Sequence, residues 1–207
     1  MHMDTFGNIK KKFNKISVFD LDGTLLDTDT PESGKALWQQ EFGFEWPFKG
    51  WWGRPESLDS RIYFQKNPKL TPGIYEKGIS KNIFDNSPIS RTLSAYKEQS
   101  GRPDTLSILL TGRHTGVGQL VTDILNSKGI KFDDYIYKSG NLDTADFKIQ
   151  VLTKLATNNP DLKEITMYED RNDHIIIFKK FGEQLVKDKK IDAFNLYQVI
   201  NNSIVKL

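Results

Sequence analysis

The sequence predicts an α/β fold: a parallel sheet flanked by helices, with a segment inserted after the first strand. Three observations lead there. Short β-branched and aromatic runs alternate with amphipathic helical patterns through most of the chain. Polar motifs stand where three of those runs end, the position at which open α/β sheets bind their ligands. The stretch 31–86 breaks the alternation and holds every tryptophan of the chain.

In chain order, Ile16, Ser17, Val18 and Phe19 form the first run, which reads as a buried strand ending at Asp20. Residues 31–86 follow, with Trp38, Trp46, Trp51, Trp52, Pro47, Pro55, Pro68 and Pro72. They read as an insertion or small cap packed over the sheet edge and shaping access to the site. A helix is predicted over 87–99, opened by Ser87-Pro88 and stopped before Gly101. A second strand over 105–110 ends at Thr111-Gly112. The helix predicted over 115–128 places Val117, Leu120, Val121, Ile124 and Leu125 on one face and stops at Gly129. A weaker third strand covers 132–137. The helix over 146–157 carries Ile149, Val151, Leu152 and Leu155 and is closed by Pro160. A fourth strand over 164–168 ends at Glu169-Asp170. The helix over 173–187 carries Ile175, Ile176, Phe178 and Phe181. Residues 192–200 supply a fifth strand, with ambiguous periodicity.

At 207 residues, one domain over 1–207 with the insertion at about 31–86 is the natural reading, with two small domains as the alternative. The absence of cysteine excludes disulfides, thiolate zinc sites and cysteine nucleophiles, and fits a reducing compartment. No apolar run approaches the ~20 residues of a membrane span, and residues 1–15 lack the apolar stretch of a secretory signal. A soluble, cytoplasmic protein with no membrane partner is expected. The net charge of +2 is too balanced for nucleic-acid binding by bulk electrostatics. Lys10, Lys11, Lys12 and Lys15 form a local basic cluster, read as a solvated arm with phosphate-backbone contact as the alternative.

The chemistry concentrates in Asp20-Leu21-Asp22-Gly23-Thr24. Residues two apart on a strand point the same way, so both acids can face one site, and the glycine permits a sharp turn directly after them. Magnesium takes oxygen ligands, commonly one or two carboxylates with water and substrate phosphate. A metal held by Asp20 and Asp22 would offset the repulsion between Asp20 and a phosphate dianion. Asp20 could then attack phosphorus, while Asp22 protonates the leaving alcohol and later activates water. The competing reading is a structural acidic turn.

Val18-Phe19-Asp20-Leu21-Asp22-Gly23-Thr24-Leu25 resembles the opening motif of the haloacid dehalogenase (HAD) superfamily. The resemblance implies a Rossmann-like HAD fold and a phosphatase working through an aspartyl-phosphate, the acid at Asp22 arguing against dehalogenation. It also implies three further motifs. A hydroxyl residue at a strand end is matched by Thr111, within Leu109-Leu110-Thr111-Gly112-Arg113. A lysine is matched by Lys148, and an acidic pair after a strand by Glu169-Asp170. Taken singly, these would read as a turn with a helix cap, a surface lysine and an acidic helix start. As a set they imply catalytic Asp20, Asp22, Thr111 and Lys148, and substrate phosphate at Gly112 and Arg113. The implied metal ligands are Asp20, Asp22, Glu169 and Asp170, with Mg2+ as cofactor.

The 89 positions between Asp22 and Thr111 leave room for a modest cap, and the 35 between Arg113 and Lys148 exclude a large one. Thr28 to Pro31, Gly50-Trp51-Trp52, Pro55, Leu58, Phe147-Lys148 and Tyr168-Glu169-Asp170-Arg171 with His174 are similar to HAD domains of the Swiss Army Knife RNA repair-like group. That implies a terminal phosphate on RNA or DNA as substrate. The alternatives are a small-metabolite or nucleotide phosphatase and a non-catalytic HAD-like binding module. His174 stands where many relatives carry a further acid, which puts Asp173 in doubt as a ligand. Trp51 and Trp52 read either as platforms for a base or sugar or as buried anchors of the insertion.

Overall fold

Residues 12–207 are described by the structure, a computed structural model. Lys10 and Lys11 of the basic cluster lie outside the described residues. Lys15 opens the first strand and pairs with Asp104 at 3.0 Å.

The chain runs β1 (Lys15–Phe19), β2 (Leu26–Asp27), α1 (Pro31–Phe42), a 3-10 turn (Pro55–Ser57), α2 (Arg61–Lys66), α3 (Ile74–Ser80), β3 (Ser87–Pro88) and α4 (Ser90–Ser100). It continues through β4 (Thr105–His114), α5 (Gly118–Ser127), β5 (Asp134–Lys138), α6 (Thr144–Asn158), β6 (Glu164–Glu169), α7 (Asn172–Lys187), β7 (Ala193–Ile200) and β8 (Ser203–Lys206). The main sheet has the order β5-β4-β1-β6-β7-β8. β1 is parallel to both neighbours, and only β8 is antiparallel, against β7. The chain builds one side of β1 first and then crosses to the other, so the strand order reverses beside β1. That reversal opens a crevice beyond the carboxyl ends of β1, β4 and β6.

Alternation along the strands sorts the core into two faces. Ile16, Val18, Leu106, Ile108 and Leu110 face α6 and α7, meeting Phe147, Leu152, Leu155 and Phe178. Phe19 and Leu109 face the other way, against Tyr96 of α4 and Val121 and Leu125 of α5. Each fully buried Leu or Phe contributes about 1.5–3 kcal/mol, so strands buried on both faces hold the sheet firmly.

Three sequence expectations are corrected. Ser87 and Pro88 do not start the predicted helix; they pair antiparallel with Leu26 and Asp27. Proline disfavours helical geometry in the residue before it, so the helix waits until Ser90. Residues 111–114 are not a turn running into a helix. β4 continues to His114 with a register shift against β5, and a 3-10 turn at Thr115–Val117 precedes α5. Finally, β8 was not anticipated. Asn201 and Asn202 both adopt positive φ, 47° and 61°, the geometry of a two-residue hairpin turn that asparagine tolerates.

The segment 31–86 builds a small aromatic core of its own. Trp38 is fully buried, with Phe42, Phe44, Trp46, Tyr63 and Phe64 packed around its ring. The two-stranded β2–β3 ladder closes the neck of the insertion.

Candidate active site

The crevice beside β1 gathers the acids. Asp20 directly follows β1, and its amide donates to the Tyr168 carbonyl of β6 at 3.1 Å. Glu169 ends β6, and Asp170 comes next. Carboxylate oxygens of Asp20, Glu169 and Asp170 all lie within 4.8 Å of one another. Gly23, at φ 66°, lets the loop after β1 approach this closely, since a Cβ there would stand 2.4 Å from Asp170 Oδ2. Thr24 Oγ1 donates to Asp170 Oδ1 at 3.2 Å.

Lys148 enters from α6, whose first turn is capped by Asp143 accepting from the Ala145 amide at 2.8 Å. The lysine is fully buried. Its ammonium sits 2.8 Å from Asp20 Oδ1 and 2.7 Å from Glu169 Oε2. These two carboxylates raise the Lys148 pKa against the opposing effect of burial. Burial works to raise the Glu169 pKa, yet Lys148 and His174 hold that carboxyl well below its usual range. Asp20 is pushed up to about 7, by burial first, with Glu169 and Asp22 adding to the rise against the pull of Lys148. Asp170 is pushed up to about 8, by burial and then by Asp20 and Glu169. Burial, with one ammonium shared among three carboxyls, thus favours the protonated forms of Asp20 and Asp170.

Asp22 occupies a separate compartment. Its Oδ1 accepts from Arg113 Nε at 2.9 Å, Arg113 Nη2 at 2.7 Å and Thr28 Oγ1 at 2.7 Å, while Oδ2 accepts from Arg113 Nε at 3.0 Å. Arg113 is fully buried and reaches Asp22 because β4 loses its register with β5 between Thr111 and His114, a bulge that re-aims a side chain. Thr111 Oγ1 accepts from the Arg113 amide at 3.1 Å and helps set that bend. Gly112 packs against Thr144, where a Cβ would meet Cγ2 at 2.7 Å. A cleft of about 310 Å³ opens over both compartments, lined among others by Asp20, Asp22, Trp52, Gly112, Lys148 and Asp170.

Residues 31–205 match HAD domain family 1 in Swiss Army Knife RNA repair proteins. The chain belongs to this HAD family. It is a phosphatase-type hydrolase of the HAD superfamily. Among solved structures, it is similar to an archaeal β-phosphoglucomutase from Pyrococcus sp. strain ST 04, at 15% identity and TM-score 0.44, over 81% of this chain and 83% of that one. The HAD domain of effector protein Lem4 from Legionella pneumophila aligns at 10% identity and TM-score 0.44, over 91% and 86%. A HAD-superfamily hydrolase from Geobacter sulfurreducens PCA aligns at 12% and 0.39, over 77% and 80%.

In this HAD domain the residues singled out by sequence come together at one end of the sheet, and two of them meet other partners than expected. Asp22 was expected among the metal ligands, but its carboxylate is engaged by Arg113 and Thr28 and stands outside the Asp20–Glu169–Asp170 cluster. Arg113 was expected to hold phosphate, but its donors go to Asp22 and to Ser57 Oγ, 2.9 Å from Nη1. Asp173 is exposed and pairs with Arg171, away from the cluster. His174 is buried at the cleft, with Nδ1 3.4 Å from Glu169 Oε2. Trp51 and Trp52 differ in placement. Trp51 is a buried anchor donating to the Asp29 carbonyl at 3.1 Å, whereas Trp52 lies at the cleft, 37% exposed.

The Asp20–Glu169–Asp170 group fits a divalent cation. It offers oxygen donors only, which suits hard cations, and a cation there would favour the ionised form of each carboxyl. Sequence reasoning quoted Thr24 and Thr28 as motif residues without giving them a role, and it missed Ser57. Thr24 donates to Asp170 and Thr28 to Asp22, roles that depend on which carboxylate each hydroxyl meets. Ser57 has no sequence signal, being one serine of an irregular insertion.

Proposed function

We propose that this protein is a magnesium-dependent phosphomonoesterase in which Asp20 is the nucleophile and a terminal phosphate of RNA or DNA is the substrate. The observation that carries the reading is the group formed at the strand ends by buried Asp20, Glu169 and Lys148 with half-buried Asp170. Magnesium held by Asp20, Glu169 and Asp170 would supply positive charge to the phosphate and to the carboxylate that attacks it.

Asp20 attacks phosphorus and the bond to the leaving oxygen breaks, while Asp22 gives that oxygen its proton. Asp22 then takes a proton from water, whose oxygen attacks phosphorus and breaks the bond to Asp20, releasing inorganic phosphate. Asp22 Oδ1 already accepts three hydrogen bonds and Oδ2 one, so Oδ2 is the oxygen free to exchange the proton. Lys148 holds Asp20 oriented and offsets the charge gathering on the phosphoryl group. Gly112 lines the cleft beside the phosphate position, and Thr111 sets the bend that follows it.

The inserted segment 31–86 acts as a small cap on the leaving-group side, where Thr28, Thr30, Pro31 and Trp52 line the cleft. Trp52 supports the nucleic-acid reading, since its exposed ring offers a stacking surface at the mouth. The size of the cleft favours a second reading, a small metabolite or nucleotide, because about 310 Å³ is at the low end of small-molecule pockets. Comparing a 3′-phosphorylated oligonucleotide with mononucleotides and sugar phosphates decides between them.

The nucleophile is tested with an aryl phosphate in magnesium. Asp20→Asn should abolish hydrolysis while circular dichroism shows the fold retained; full activity in that variant refutes the assignment.

A further inference from the structure

The guanidinium of Arg113 is gripped from two directions. On one side it forks onto Asp22. On the other it meets two residues of the inserted segment. Ser57 Oγ accepts from Nη1 at 2.9 Å, and the Trp52 ring lies 5.2 Å from the guanidinium carbon. Ser57 is itself buried, and its hydroxyl proton is committed to the Arg54 carbonyl at 2.7 Å. An oxygen lone pair is therefore left facing Arg113. Ser57 is thus the hydrogen-bonding partner of the fork on the side away from Asp22, and a planar fork and the carboxylate that it holds constrain one another's planes.

We propose that Ser57 is a positioning residue for the catalytic acid, acting through Arg113 to aim Asp22 Oδ2 at the leaving oxygen. The proposal rests on the reading of Asp22 as proton donor. It makes the insertion part of the proton-transfer apparatus as well as a wall of the cleft: the 3-10 turn at Pro55–Ser57 braces a side chain from β4, which braces the acid after β1.

The role has a signature that general loosening of the fold lacks. An alkoxide leaving group needs its proton during bond breaking, whereas a 4-nitrophenolate departs with little help. The value of kcat/KM reports the steps up to the first irreversible one, here departure of the leaving group. It is measured for glycerol phosphate and for 4-nitrophenyl phosphate in wild type, Ser57→Ala, Ser57→Thr and Asp22→Asn. Removing the acid outright costs ~10²–10⁴-fold in systems of this kind. Misaiming it in Ser57→Ala should lower the glycerol phosphate value about tenfold more than the aryl value. Ser57→Thr, which keeps the hydroxyl, should restore most of the loss, and Asp22→Asn should show the same split in larger form. Arg113→Lys keeps a cation beside Asp22 without the fork, so it should reproduce the split and serves as the test where Ser57→Ala does not fold.

Equal losses on both substrates in Ser57→Ala, with Asp22→Asn still showing its split, overturn the positioning role and leave the acid in place. So does failure of Ser57→Thr to recover the alkyl activity. Absence of any split in Asp22→Asn overturns the assignment of Asp22 as acid, and the role of Ser57 with it.

Discussion

Lys148 shows how residue-scale chemistry depends on place. An isolated lysine in a helix reads as a surface charge, yet here the ammonium is buried between Asp20 and Glu169. Burying three charges together is tolerable only while they compensate one another; removing one partner of such a set typically costs about 3–5 kcal/mol. Lys148→Met should therefore lose about that much stability by urea unfolding in the presence of a chelator. Magnesium should return part of the loss by offsetting the same carboxylates. A variant as stable as wild type with chelator would show that Lys148 does not carry this compensation. Asp20 and Asp170, pushed up to about 7 and about 8, report the same crowding from the acid side.

At the scale of elements, the insertion is held by aromatic packing in which small residues leave the necessary space. Gly34 of α1 lies under Trp51, and a Cβ there would stand 2.1 Å from ring atom Cη2. Trp51 cannot yield easily, being buried and hydrogen-bonded to the Asp29 carbonyl. Gly34→Ala is accordingly expected to destabilise by about 1–3 kcal/mol, the usual cost of overpacking, measured by thermal or urea unfolding. An unchanged Tm would mean that the insertion repacks freely. The strands of the main sheet were legible because residues buried on both faces must be apolar, and Ile16, Val18 and Phe19 are. The insertion's helices were not, because α1 marks its buried face with only Gly34, Trp38 and Phe42, and α2 and α3, of 6 and 7 residues, are too short to show a helical period. The β2–β3 ladder joins residues about 60 positions apart through only two residues a side, too short to leave a periodic mark.

For the molecule as a whole, the carboxylates that would hold a cation come from two separate parts of the chain, Asp20 after β1 and Glu169-Asp170 at the end of β6. Unfolding separates them, so a cation bound there stabilises only the native state. At a hundred times its Kd this amounts to about 2.7 kcal/mol, a rise in Tm of about 5–10 °C for a chain of this length. Thermal unfolding with magnesium and with chelator should differ by that margin, and Asp170→Asn should shrink it; equal Tm values would argue against a shared ion. No helix among the described residues is long and apolar enough to cross a membrane.

The motif residues and the alternation of strand and helix were determined by sequence, since burial periodicity and short chemical motifs are local properties. Which acids gather around Lys148 and which is held apart was decided only by the tertiary structure. Asp20 and Asp22 sit two positions apart, yet one turns toward Lys148 and the other is drawn away by Arg113. A side chain's partner depends on which distant backbone arrives beside it, and the bulge in β4 and the serine of the insertion carry no local pattern that announces where they will be.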